Sequence, residues 1–289
     1  MSEQTRIAFL GLGAMGQRMA SRLEAAGWDV VVWSRSGVPA SARSLSGRAV
    51  ATAQAAVSGA DLVFSMLKDD DASRAVWLSP SDGALSALRA GAVAVECSTL
   101  SPAWASELSE RMARARRDFI EAPVVGSRPQ AEAGSLVFLA AGDPRALDRV
   151  RPSLACMGGA VHHLGAAPAA AYAKLIVNAL LGVQVAALAE LIAFADRAEL
   201  DLSSFMTALE GLPVLSAAAK NAAAGILARR FEPAFPVELM SKDLRYVLSA
   251  AEAVDRVLPV VQRVSEVFET GRSSGHAHEN LTAVAKLYT

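Results

Sequence analysis

The sequence predicts an α/β protein in which a doubly wound parallel sheet is followed by an all-helical C-terminal domain. Three observations carry the prediction. Short apolar runs alternate with helical periodicity through the first half, a glycine-rich turn joins the first run to the first helix, and strand signals stop after Gly165. Alternation of this kind argues for a parallel sheet, because each crossover helix returns the chain to the same sheet end.

The elements follow in order. Ile7–Leu10 is an unbroken apolar run, the pattern of a strand covered on both faces. Gln17–Ala26 is amphipathic and reads as a helix. Asp29–Trp33, rich in valine, is the second strand. Ala53–Ser58 suits a short helix and Leu62–Leu67 a third strand. Ala72–Trp77 and Ser81–Leu88 read as helical pieces, Ala92–Glu96 as a strand, and Pro102–Ala115 as a helix with proline in its first turn. Phe119–Ala122, Leu136–Ala141 and Ala160–His163 complete the strand candidates. Helical periodicity then runs from Pro168 to about Arg197, with further helices at Leu202–Leu209, Pro213–Leu227, Val237–Val254 and Leu258–Glu269 and a last one near Asn280–Leu287. The expected organisation is a sheet domain over 1–165 and a helical domain over 166–289, parted near Gly165–Pro168.

Composition narrows the function classes. The chain has 289 residues, 53% hydrophobic and 20% charged, which supplies a large core and argues against disorder. A formal net charge of −1 gives no global attraction to nucleic acid or to an anionic membrane. Cys97 and Cys156 are too few for a disulfide scaffold and read as thiols of a reducing compartment. Met1–Arg6 leads straight into a strand with no visible signal peptide, so a cytoplasmic location is expected. Leu175–Ala195 is apolar enough to raise a membrane question, but it contains Asn178, Gln184 and Glu190 and begins beside Lys174. A helix buried between protein layers is the better reading. Such a helix needs partners on every side, so a homodimer or higher homo-oligomer is expected.

Gly11-Leu12-Gly13-Ala14-Met15-Gly16 lies directly between the first strand and the first helix. The helix start offers unpaired N–H groups and a positive dipole end. The glycines let the backbone approach a pyrophosphate and let helix pack close on strand. A tight turn without a ligand uses the same residues, but the strand–turn–helix context selects a Rossmann-type dinucleotide site.

Other candidates follow the strand ends. Ser34-Arg35-Ser36 has no acid to accept from a ribose 2′-hydroxyl, and Arg35 with two hydroxyls suits a 2′-phosphate, so NADP(H) is expected over NAD. The alternative is a solvated loop arginine. Met66 and Leu67 are placed to line a ribose. Asp69-Asp70-Asp71 reads as a helix cap and acidic first turn rather than a metal site. Cys97-Ser98-Thr99 either meets the nicotinamide side through Thr99 or caps a helix ahead of Pro102. Val125-Gly126-Ser127 forms a turn able to hold a small carboxylate, although most such turns bind nothing.

Lys174 and Asn178 are spaced i, i+4 and share a helix face. A lysine on a buried face favours its neutral amine and can exchange a proton with a carbonyl or alcohol oxygen. The other reading is a lysine that snorkels to solvent. Lys242-Asp243 is either a surface pair or a cation given to the cofactor crevice. His162-His163 and His276-x-His278 lack a third ligand, so no metal is expected, and no Ser-His-Asp arrangement stands out among four histidines.

Taken together, these residues resemble the β-hydroxyacid dehydrogenase family, which includes 3-hydroxyisobutyrate dehydrogenases and glyoxylate/succinic semialdehyde reductases. The resemblance spans nearly the whole chain. Phe9 through Gly16 with Met19-Ala20 is similar to the family's nucleotide signature, and Glu121-Ala122-Pro123-Val124 through Leu136 resembles its substrate segment in the semialdehyde-reductase branch. The resemblance implies that Lys174 is the general acid/base with Asn178 its partner, that Lys242 approaches the cofactor, and that Thr99 lies near the nicotinamide. It implies hydride transfer between a nicotinamide and a small carboxylate-bearing hydroxyacid or semialdehyde, with Gly126 and Ser127 holding the acid group. Three departures bear on substrate choice: Val125 replaces a hydroxyl residue, Pro168 and Ala170 replace glycines ahead of the lysine, and Ala72 stands where some members have asparagine. Two other readings stay open: an imine reductase, against which Lys174 argues, and a non-catalytic NADP-binding module for dimerisation.

Overall fold

A computed structural model describes residues 5–288, and the chain divides into two compact units that part between Lys174 and Leu175. The expected boundary near Gly165–Pro168 marks the start of a helix that belongs in part to each unit.

The first unit runs β1 (Arg6–Leu10), α1 (Gly16–Ala25), β2 (Asp29–Trp33), a 3-10 segment over Ala40–Arg48, α2 (Ala53–Val57), β3 (Leu62–Ser65), α3 (Asp70–Leu78), α4 (Ala84–Ala87), β4 (Val93–Glu96), α5 (Pro102–Arg114) and β5 (Asp118–Glu121). It continues through β6 (Val124–Val125), α6 (Arg128–Ala133), β7 (Leu136–Gly142), α7 (Pro144–Met157) and β8 (Gly158–His163). The strand order is β2-β1-β3-β4-β5-β7-β6, with β8 paired to β7. The first five strands in that order are mutually parallel.

Alternation along β1 explains the double winding. Ile7 and Phe9 join one apolar cluster with Met19 and Leu23 of α1 and Leu147 and Leu154 of α7. Ala8 and Leu10 join the opposite cluster with Trp77 of α3 and Trp104 and Leu108 of α5. Successive side chains of a strand point to opposite faces, so a fully apolar strand needs a helix layer on each side. The chain leaves β1 toward β2 on one side and returns to β3 on the other. The carboxyl ends of β1 and β3 therefore flank a topological switch point, where open α/β sheets bind ligands.

The first unit departs from the sequence expectation in several places. The sheet is mixed at its far edge, because β7 runs antiparallel to β5 and β6. Only residues 126–135 join β6 to β7, too short a link for a parallel crossover. The Ser81–Leu88 helix shrinks to Ala84–Ala87, since Asp82 accepts from the Ser79 and Ser81 hydroxyls and holds a turn instead. The last strand begins at Gly158 rather than Ala160, and the 3-10 segment over residues 40–48 has no counterpart in the sequence reading.

The second unit is helical. It comprises most of α8 (Ala169–Arg197), then α9 (Leu202–Glu210), α10 (Ala217–Leu227), α11 (Val237–Glu252), α12 (Pro259–Gly271) and a 3-10 segment over Leu281–Leu287. Among the described residues it has no strand beyond an isolated Pro236–Asn280 bridge. Polar caps set the helix starts: Asp201 accepts from Ser203 N–H, and Ser216 accepts from Ala219 N–H, which leaves Pro213 outside α10. The core packs Leu175, Val185 and Ala189 of α8 against Met240, Leu244 and Phe268. Only one face of α8 is covered this way. Ile176, Leu180, Leu191 and Phe194 remain exposed on the other, so partners on every side are not supplied within the chain.

Candidate functional site

Each glycine of the first turn answers a different constraint. Gly11 has φ +96°, its N–H donates to the Trp33 carbonyl at 2.8 Å, and a Cβ there would lie 2.4 Å from the Met66 carbonyl oxygen. A Cβ on Gly16 would lie 2.0 Å from the Gly11 carbonyl oxygen. These two glycines are required by the packing of strand, turn and helix. Gly13 differs: it is exposed, and no atom beyond its chain neighbours lies within 4 Å of the place its Cβ would take. Met15 at the start of α1 offers no side-chain cap. Open space above Gly13 beside an uncapped helix start fits a pyrophosphate.

The other cofactor candidates lie along the same edge. Ser34, Arg35 and Ser36 follow β2, with Arg35 and Ser36 exposed. Met66 N–H donates to Leu10 O at 2.9 Å and extends the β1–β3 pairing, and Met66 and Leu67 are half-buried. Thr99, half-buried, follows β4. The carboxyl ends of β2, β1, β3 and β4 thus present these residues in sheet order.

The acidic triplet is a helix start. Asp69 Oδ1 accepts from Ala72 N–H at 2.9 Å, and Asp70 accepts from the Ser101 N–H and hydroxyl at 2.9 and 2.5 Å. The cap ahead of Pro102 is Ser101, which accepts from Trp104 N–H, and not Ser98 or Thr99.

Sequence reasoning missed two carboxyls. Glu96 and Glu121 end β4 and β5 in register, so both project from one sheet face, and both are buried. Glu96 Oε1 accepts from the Ser98 N–H at 3.0 Å and the Ser98 hydroxyl at 2.5 Å, while Oε2 accepts from the Ser73 hydroxyl at 2.9 Å and Trp77 Nε1 at 3.0 Å. Burial raises its pKa and these donors oppose the rise. Burial pushes the Glu121 carboxyl up to about 7, opposed by the Ala170 and Ala171 amides in the first turn of α8 and reinforced by the charge of Glu96. Glu121 Oε2 has no hydrogen-bond partner. The signal available was an acid closing an otherwise apolar strand run.

In the Val125-Gly126-Ser127 turn, Gly126 has φ +126° and is exposed. Ser127 starts α6 in a capping box with Gln130, whose Oε1 accepts the Ser127 N–H at 2.9 Å. This corrects the expectation that the Ser127 amide is open to an anion.

Lys174 is 7% exposed, so it does not snorkel to solvent. Asn178, one turn along α8, is buried and donates from Nδ2 to Asp243 Oδ2 at 2.6 Å. Lys242 Nζ lies 2.9 Å from Asp243 Oδ1 and 4.8 Å from the centre of the Tyr246 ring. That contact is an ion pair without hydrogen-bond geometry at Oδ1. Lys242 and Asp243 are 7% and 3% exposed, which overturns the surface-pair reading. His163 Nε2 lies 3.0 Å from the Gly142 carbonyl and His276 Nδ1 lies 2.8 Å from Glu279, both ordinary structural roles.

Known proteins supply an independent view. A family model described as the NAD binding domain of 6-phosphogluconate dehydrogenase matches residues 6–165. A second, described as NAD-binding of NADP-dependent 3-hydroxyisobutyrate dehydrogenase, matches residues 168–288. The chain is 31% identical over 286 residues to glyoxylate/succinic semialdehyde reductase 2 of Arabidopsis thaliana, covering 96% of this chain and 78% of that protein. It is 32% identical over 298 residues to the NAD-dependent L-serine dehydrogenase of Pseudomonas aeruginosa, covering 98% and 97%. The solved structure of Mycobacterium tuberculosis 3-hydroxyisobutyrate dehydrogenase with L-serine aligns with a TM-score of 0.87 at 29% identity, covering 98% of this chain and 99% of that one.

Proposed function

Because the chain belongs to the β-hydroxyacid dehydrogenase family, we propose that it is an NADP(H)-dependent oxidoreductase that interconverts a small carboxylate-bearing hydroxyacid and its semialdehyde or keto form. The observation that carries this reading is the crevice edge, where Gly13 leaves open space and Arg35, Met66, Leu67 and Thr99 follow neighbouring strand ends.

The amides around Gly13 to Gly16 receive the pyrophosphate, and Arg35 with the Ser34 and Ser36 hydroxyls receives the 2′-phosphate. The absence of an acid after β2 supports NADP(H) over NAD, although the Pseudomonas relative is named as NAD-dependent. Lys242 supplies positive charge to the cofactor. When bound, the nicotinamide supplies or accepts the hydride. Lys174 Nζ gives a proton to the substrate oxygen during reduction and takes it back during oxidation. Asn178, its amide oriented by Asp243, positions the lysine or that oxygen. The Gly126 amide and the Ser127 hydroxyl hold the acid group, with Val125 adding an apolar contact.

The exposed stripe of α8 supports a homodimer, since exposed apolar surface of this kind is a common mark of association.

The test is a screen that follows NADPH absorbance with glyoxylate, succinic semialdehyde and other short aldehyde or keto acids, with cyclic imines alongside. Turnover of an aldehyde or keto acid is expected. Tight NADPH binding without turnover of any compound would overturn the catalytic reading, and turnover of imines alone would move the activity to C=N reduction.

A further inference from the structure

The carboxyl end of β3 is tied to that of β4 through one hydroxyl. Ser98 Oγ donates to Glu96 Oε1 at 2.5 Å and accepts the Leu67 N–H at 2.7 Å. The Ser98 N–H also goes to Glu96 Oε1, at 3.0 Å. Ser98 and Glu96 are each 3% exposed, so no water replaces these bonds at low cost. Leu67 in turn backs the glycine turn, because a Cβ on Gly11 would lie 2.9 Å from Leu67 Cδ2 and 2.4 Å from the neighbouring Met66 carbonyl oxygen. The connection runs from a buried carboxyl through Ser98 and Leu67 to the backbone proposed to meet the pyrophosphate. Glu96 has a second pair of donors, Ser73 and Trp77, both on α3 and both on Oε2.

We propose that Ser98, held by Glu96, is a positioning residue for the dinucleotide: its hydroxyl locks together the loops after β3 and β4 and so fixes the wall behind Gly11. The inference rests on the cofactor reading above. The two arms of Glu96 separate positioning from mere stability. Ser98→Ala removes the acceptor for Leu67 N–H, whereas Ser73→Ala removes a donor to the same carboxyl with no link to the Leu67 amide. Ser98→Ala loses two buried hydrogen bonds and Ser73→Ala loses one, so both lower Tm.

The experiment is calorimetric titration of NADPH into the wild type, Ser98→Ala, Ser98→Cys and Ser73→Ala. The cysteine variant fills nearly the same space with a poor acceptor, which covers poor folding of the alanine form. Ser98→Ala and Ser98→Cys are expected to raise Kd about fivefold or more, and Ser73→Ala less than about twofold. Equal shifts in the Ser98 and Ser73 variants, or no shift in the Ser98 variants, would overturn the inference. A wild type that does not bind NADPH would instead overturn the cofactor reading.

Discussion

Gly16 lies so close beneath Gly11 that a Cβ on Gly16 would fall 2.0 Å from the Gly11 carbonyl oxygen, well inside contact distance. Gly13, two residues from Gly11, has no atom beyond its chain neighbours within 4 Å of where its Cβ would lie. Gly16→Ala should therefore destabilise the fold, by about 1–3 kcal/mol, as overpacking does. Gly13→Ala should leave thermal stability nearly unchanged and weaken NADPH binding, because its methyl enters the space kept for the pyrophosphate. Calorimetric Tm and NADPH titration on the two variants separate these outcomes.

Arg35 is exposed after β2 and faces no acid in its own Ser34-Arg35-Ser36 turn. A charge-assisted hydrogen bond to a 2′-phosphate contributes roughly 1.5–3 kcal/mol. Arg35→Ala is expected to raise Kd for NADPH by about 10- to 100-fold and to leave NADH binding unchanged. A wild-type preference for NADH would contradict the assignment.

Glu121 makes stability depend on pH. Its pKa rises from the ordinary 4.5 to about 7 in the folded chain. The folded state therefore holds more protons than the unfolded state between those values, and stability falls as pH climbs through that window. The full effect, of the order of 3 kcal/mol, is reached above the folded pKa. Glu121→Gln should be more stable than the wild type at about pH 8 and lose most of that advantage near about pH 5. Urea unfolding at both pH values checks the sign.

On α8, Leu180 and Phe194 are 59% and 68% exposed. With Ile176 and Leu191 they recur at helical spacing along one face. Leu180→Asp combined with Phe194→Asp is expected to convert a homodimer to a monomer in sedimentation at micromolar concentration, with the helical circular dichroism signal kept. A wild type that sediments as a stable monomer would contradict the stripe's proposed role.

What the sequence revealed was local. The strand–glycine–helix join is legible because Gly11, Gly13 and Gly16 act within one turn, and the Asp69 cap because its partner, Ala72, is three residues on. The buried carboxyls of Glu96 and Glu121 were not legible as such. A carboxyl ending an apolar strand is read as solvent-exposed until its distant donors are known, and Ser73 lies 23 positions from Glu96. Lys242 and Asp243 misled for the same reason: adjacent charges look like surface, but Asp243 is met by Asn178 from 65 positions away. The Ser127 capping box was present as a Ser-x-x-Gln spacing and went unread. The reversal at β7 depends on the short 126–135 link, which composition does not display.

The proton-transfer role of Lys174 is tested most directly by Lys174→Ala, assayed under saturating NADPH on the best substrate from the screen. NADPH binding should persist while turnover falls by about 100-fold or more, the scale of a lost general acid/base. A loss of less than about threefold, far short of that scale, would contradict the account.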